Sequence, residues 1–440
     1  MKPKKPPLEE TQGRMFRVEL SQLVDPDHGL VKLAGIVDWA RLDELFGSTY
    51  CPENGRPGIS TRLMVALHYL KFMHDLSDEE VVSAWVENPY WQYLSGMKWF
   101  EHEAPIDSSS MTRWRKRIGA AGAEELLKET IEAGLKLKAI KPSQLRRVNV
   151  DTTVMEKEVR FPTDARLYDR AREKLVKAAK ERGLRLRQNY NRKSKQLLYQ
   201  QSRYAHARQM KRARKCILKL KTFLGRVIRD IERKAAFIDP GLKSLLEISR
   251  RILEQKKKDK NKVYSVHAPE VSCISKGKAH KRYEFGCKVS LAATSRGGWF
   301  VGAMALPDNP YDGHTLTGAL DQVGRIAKLP QDAFVDMGYR GHGYEGPVTV
   351  HVDKRRRGRT PKALWRWMKR RAAVEPGIGH LKREHRMDRN RLKGVEGDCF
   401  NAIMSAAGMN FWKLLKRADD FLRLILTWLW PQPNIITVCP

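Results

Sequence analysis

The spacing of apolar residues changes period several times along the chain, and each change marks an element. Over the first third the period is helical. After an irregular lead-in, GLVKLAGIVDWARLDELF repeats apolar residues at three- and four-residue steps. The turn signal NGRPG at 54–58 precedes Ser60, which is placed to cap a helix burying Leu63, Leu67 and Leu70. Ser77-Asp-Glu-Glu80 reads as a capping box ahead of VVSAWVEN, a run that Pro89 ends. A third helix begins near Ser109 and carries the cations Arg113, Arg115 and Lys116.

At 147 the period drops to two. Val148, Val150, Thr152 and Val154 share one face of a strand, and Asn149, Asp151 and Thr153 share the other. An aspartate there needs a compensating cation or metal, unless the strand is an edge and the carboxylate faces water. Residues 166–261 form a basic helical block. Ile217, Leu220, Leu224, Val227 and Ile231 mark one stripe, Asp239-Pro-Gly241 breaks it, and Leu242, Leu245, Leu246 and Leu253 mark a return, so a helical hairpin is expected. Its Tyr190, Tyr199 and Tyr204 are interleaved with Arg and Lys, either along a nucleic acid or on a solvated face.

Strand signals return at 282–293 and 299–306, joined by the turn SRGG. A loop, DNPYDGH, leads to the helix HTLTGALDQVGRIAK, a short strand ending at Asp336, and a strand at 348–353. The closing pattern is helical again. Leu364, Trp367, Val374, Ile378 and Leu381 make an apolar row, and Met368, Arg371, Glu375 and Lys382 a second one. Pro376 interrupts it. If a new helix opens there, Glu375 falls near its N-cap and Arg371 leaves the shared face.

Composition narrows the partners. The 440 residues suffice for two or three domains, and 84 Lys and Arg against 50 Asp and Glu give a net charge of +34. That imbalance points to a polyanion, with nucleic acid the first candidate and RNA as open as DNA. Six cysteines form no C-x-x-C, which argues against a zinc knuckle or disulfide framework and fits a reducing cytoplasm. MKPKKPPLEE lacks the apolar core of a signal peptide, and FLRLILTWLW is shorter than a membrane span. No membrane partner is expected, and the apolar C-terminal helix is read as packing on the core or on a second subunit.

The order of the acids adds chemistry. Asp151 on one strand, Asp336 at the end of another and Glu375 on a late helix would form a three-carboxylate cage of hard oxygen ligands, suited to Mg²⁺ or Mn²⁺. Two such ions roughly 3.5–4 Å apart activate a water or 3′-hydroxyl and stabilise the leaving oxygen of a phosphodiester. Glu384 is the nearest substitute for Glu375. Asp308 and Asp312 are read as loop and cap residues, and His314 and His380 as hydrogen-bonding support. Lys276, Lys278 and Lys281 form a basic loop, phosphate-facing or simply solvated.

On these residues the chain resembles the bacterial insertion-sequence transposases of the DDE class, in the insertion-sequence-five family. RPGISTRLMVALHYLKFMHDLSDEEVVSAWVENPYWQYLSG, VNVDTTVMEKEVRFPTDARL, DNPYDGHTL, FVDMGYRG and VEPGIGHLK are among the segments that carry the match. The resemblance implies an α/β, ribonuclease-H-like mixed-sheet core with Asp151, Asp336 and Glu375 as catalytic and metal-binding acids. It divides the chain into a helical DNA-binding domain (1–140), a first strand region (141–165), a basic helical insertion (166–261), the rest of the core (262–415) and an apolar C-terminal helix and tail (416–440). Arg371, Lys382, His380, Lys276, Lys278, Arg113, Arg115 and Lys116 would face DNA. The expected partners are double-stranded inverted-repeat ends and target DNA, with a homodimer or larger assembly in the nucleoid. A non-catalytic DNA-binding descendant is the alternative. The related signature places a tyrosine three residues before the arginine; here Met368 stands in its place. That departure bears on any DNA-hairpin step, not on metal-dependent hydrolysis.

Overall fold

The computed structural model describes residues 18–50, 58–235, 237–275, 281–353 and 361–429, with side chains as far as 418. Among these, six strands build one mixed sheet: β1 (Arg147–Glu156), β2 (Ser272–Ile274), β3 (Glu284–Thr294), β4 (Phe300–Leu306), β5 (Asp332–Val335) and β6 (Thr349–Val352). The order is β2-β3-β1-β5-β6, and β4 also pairs with β3. β1 runs antiparallel to β3, from Val148↔Thr294 to Glu156↔Gly286, and parallel to β5. Asp151 is therefore on a central strand, which removes the edge-strand reading. Alternation along β1 does not separate a dry face from a wet one, because both are largely covered and Asn149 is as buried as Val148 and Val150. Where β3 crosses β1 only glycine fits: a Cβ at Gly286 would lie 2.0 Å from the Met155 carbonyl oxygen.

The helices between Leu20 and Lys136 share one continuous core with the sheet and with the long helix Gly394–Leu429. Tyr69 stacks on Phe411 at 4.6 Å between ring centres. Gly408 lets the helix Thr61–Met73 come close, since a Cβ there would meet Phe72 backbone at 2.7 and 2.8 Å. The capping box of Ser77 and Glu80 forms in both directions, while Ser60 occupies an N-cap without a side-chain bond. Pro89 does not simply end a run. Asn88 caps a new helix, Pro89–Leu94, with proline in its first turn, where the missing N–H costs nothing. The helix from Ser109 is much longer than its basic opening and reaches Lys136 through a kink at Gly119 (φ 59°).

The insertion has its own core. It contains four helices, Asp164–Glu181, Asn191–His206, Met210–Lys234 and Pro240–Glu254. The last two are the expected hairpin, with Asp239 accepting from the backbone N–H groups of Gly241 and Leu242. The first two were not legible as a pair. Tyr190 packs inside this unit, stacked on Phe223 at 4.2 Å, whereas Tyr199 is exposed.

Candidate active site

β1 and β5 bring the first two acids together through their register. The parallel pairs are Arg147↔Asp332, Val148↔Ala333 and Asn149↔Phe334. The pairing ends there; extended two residues further, the same register runs Asp151 towards Asp336. Asp336 is the first residue beyond β5, and its carboxylate accepts from the Gly338 N–H at 2.9 Å, capping a 3₁₀ turn over Met337–Tyr339. The Asp151 carboxylate accepts from the Thr152 N–H at 2.7 Å.

Glu375 stands on a broken helix and is joined to Asp151 through Arg371. The helix Lys362–Arg370 passes into a 3₁₀ turn, Arg371–Ala373, and a new helix, Val374–Glu384, begins beyond it. Pro376 lies in the first turn of that helix, where it needs no hydrogen-bonded N–H. Arg371 nevertheless stays with Glu375. One guanidinium stands 3.8 Å from Asp151 and 3.7 Å from Glu375, so it spans the two acids. Asn149 sets this geometry: its Nδ2 donates to the Arg370 carbonyl at 2.9 Å while its Oδ1 accepts from Ser295 Oγ at 2.7 Å. The break in the helix is thus tied to β1 two residues from Asp151. The only signal for Asn149 was an amide at the same alternate positions as Asp151.

Asp312 was read as a loop or cap residue, but it accepts from Lys288 Nζ at 2.9 Å and from Thr152 Oγ1 at 3.1 Å. A Cβ at Gly338 would lie 3.0 Å from Asp336 Oδ1 and 3.2 Å from Asp312 Oδ2, so glycine is what allows both carboxylates to close around that turn. Burial, followed by the charges of Asp151, Asp312 and Asp336, pushes the Tyr339 hydroxyl well above its ordinary range.

The donor set, carboxylate oxygens alone, has the chemistry of a hard divalent cation site. Among the described residues no three His, Cys, Asp or Glu side chains are gathered closely enough to hold a metal as they stand. Arg371 provides the neutralising charge between Asp151 and Glu375 instead.

The other candidates divide. Glu384 is taken up by His380 at 2.7 Å, which holds its carboxyl below the ordinary glutamate value. Arg113 and Lys116 are exposed on the helix from Ser109. Arg115 is not available to a ligand: it is buried and donates to both Asp78 oxygens, at 2.8 and 2.6 Å, beside Lys71. It needs that partner because a buried guanidinium must be hydrogen-bonded and neutralised. Lys276 and Lys278 lie outside the described residues, as do the side chains of the apolar segment after 418. No helix among the described residues is long and apolar enough to cross a membrane.

Two family models match the chain. The transposase domain model DUF772 matches residues 18–117, and the transposase DDE domain model matches residues 253–411. An uncharacterised protein of Rhizobium meliloti, ORF8 in the nfe locus, is 54% identical over 209 residues, which is 48% of this chain and the whole of that protein. No solved structure matches.

Proposed function

The chain belongs to the insertion-sequence DDE transposases, and from that premise we propose that Asp151, Asp336 and Glu375 are its catalytic acids. What supports this is the register of β1 and β5, which runs Asp151 towards Asp336 when extended two residues past the last pair, together with Arg371 between Asp151 and Glu375. The fold reading is a ribonuclease-H-like core interrupted by the helical insertion and preceded by a helical DNA-binding region. The segments around these acids support membership of the insertion-sequence-five family.

In this reading Asp151, Asp336 and Glu375 would hold Mg²⁺ or Mn²⁺, two ions in all. The metal supplies an activated water or 3′-hydroxyl and a counter-charge for the leaving oxygen. The protein's own groups position the strand. Arg371 holds Asp151 and Glu375 in place and, with Lys382, grips the backbone next to the scissile phosphate. His380, Arg113 and Lys116 extend the contact. Lys276 and Lys278 are proposed as further DNA contacts. The reaction is nicking at each inverted-repeat end to release a 3′-hydroxyl, then transfer of that hydroxyl to target DNA. Two ends must meet, so the working form is a dimer or larger assembly on DNA, in the cytoplasm at the nucleoid.

The test is cleavage of a labelled duplex bearing the element's own ends, with Mg²⁺, with Mn²⁺ and with chelator. Metal-dependent nicking is expected at the boundary. Asp151→Asn, Asp336→Asn and Glu375→Gln should each slow it roughly a thousandfold or more, about 4 kcal/mol in barrier, without lowering the melting temperature. Specific binding with no nicking under any metal would favour the non-catalytic DNA-binding descendant. Nicking by Glu375→Gln at the wild-type rate would transfer the third role to Glu384.

A further inference from the structure

Between the insertion and the β2–β3 end of the sheet lies an open cleft of about 1600 Å³. It exceeds the roughly 300–1,000 Å³ of a small-molecule site and has the dimensions for a segment of polymer. Three aromatic rings in its walls are exposed: Phe161 to 60%, Tyr199 to 65% and Tyr283 to 41%. Behind them Phe161 meets Phe285 edge-on at 5.4 Å, and Phe285 leans on Tyr264 at the same distance, so the platform has a supported base. Leaving such rings in water forgoes about 25 cal/mol for each Å² of apolar surface, and core packing gives no reason for it.

The charge of the cleft is one-sided. Its acids are already engaged: Glu156 with Lys281, Glu158 with Arg391, Asp169 with Arg172 and Glu173 with Arg170. Arg160, Arg166, Lys195, Arg282 and Arg389 also line the cleft, and among the described residues none of them makes an ion pair. Arg282 lies 5.5 Å from the Tyr283 ring centre and Arg203 5.7 Å from that of Tyr199. Exposed rings flanked by cations that lack acids are the combination that binds stacked bases and their phosphates.

We propose that this cleft holds an unpaired segment of DNA, with bases stacked on Phe161, Tyr199 and Tyr283 and phosphates on the surrounding cations. A duplex covers its base faces with neighbouring bases, and Phe161 has no hydrogen-bonding group with which to read a base edge. An unstacked base offers Phe161 a whole π-face. The location suits this role. The cleft wall continues from the end of β1 at Glu156, five residues beyond Asp151, or roughly 17 Å along the strand. A DNA strand lying across the acids reaches the cleft within a few nucleotides. The inference rests on the proposed function only for the choice of DNA over RNA.

The test uses the full chain in chelator, so that no cleavage takes part. A fluorescent oligo-dT, an oligo-U and a generic duplex of equal length are titrated by anisotropy. The wild type is expected to bind oligo-dT at least as tightly as oligo-U. Phe161→Ala and Tyr199→Ala should each weaken oligo-dT binding roughly tenfold while changing duplex binding by less than about twofold, and Phe161→Trp should restore it. Both residues are exposed, so folding should be intact, as thermal melting will report. Equal losses on single strand and duplex, or no loss in either alanine variant, would overturn the proposal. A clear preference for oligo-U would overturn the choice of DNA.

Discussion

At the scale of single residues, a site that read as three acids is better described as acids and the groups that hold them. Arg371 bridges Asp151 and Glu375, Asn149 anchors the turn that carries Arg371, and Gly338 allows Asp336 and Asp312 to approach. Asp312 has a structural task that can be measured. Lys288 is nearly buried, and its ammonium is satisfied by Asp312 at 2.9 Å and the Pro310 carbonyl at 2.7 Å. Asp312→Asn leaves that charge without its counter-ion and should cost about 1–3 kcal/mol in urea unfolding. Adding Lys288→Met should recover most of the loss, because the unpaired charge goes with it. Strictly additive losses would mean the two side chains are not coupled.

Among elements, the helix Thr61–Met73 shows what a basic, polar-looking surface conceals. Its Lys71 and the Arg115 of the neighbouring helix close on Asp78, and burial brings Lys71 down to about 8. His68, on the same helix, is fully buried between Trp114 and Phe400, with Nδ1 on the Met64 carbonyl at 2.7 Å and Nε2 without a hydrogen-bond partner. Burial first, then the charge of Arg115, pushes its pKa down to about 3. The unfolded chain, with an ordinary histidine near 6.5, therefore takes up the proton first. The contribution to stability is complete above about pH 6.5 and is lost as pH falls towards 3, by up to about 1.4 kcal/mol per pH unit. His68→Phe removes the titration, so the fall in unfolding free energy between pH 7 and 5 should be smaller in the variant. An unchanged difference would assign the acid sensitivity to other groups.

For the whole molecule, charge and architecture act together. A net charge of +34 on 440 residues is distributed over a chain with two cores, one joining the N-terminal helices to the sheet and one inside the insertion. DNA affinity should therefore depend steeply on salt, since each neutralised phosphate contributes about 0.9 to the slope of log K against log salt. Titration of a labelled duplex across a salt series measures that slope. A flat dependence would show that the excess cations are not used on DNA.

Local pattern made much of this protein legible. Alternation marked β1, a capping box placed the helix after Ser77, Asp239-Pro-Gly241 marked the hairpin of the insertion, and the order of Asp151, Asp336 and Glu375 suggested phosphodiester chemistry. Those signals survive in a linear chain because side-chain period and caps depend on residues within a turn or two of each other. Tertiary structure decided the rest. Whether Asp151 meets Asp336 depends on the register of two strands separated by the entire insertion. Whether Arg371 keeps Glu375 across the break in the helix depends on a 3₁₀ turn held by Asn149 from another element. Arg115 was misplaced, and the partner of Asp312 missed, for the same reason. A charged residue looks identical in sequence whether it faces solvent or a buried partner, and only packing brings Asp78 to the one and Lys288 to the other.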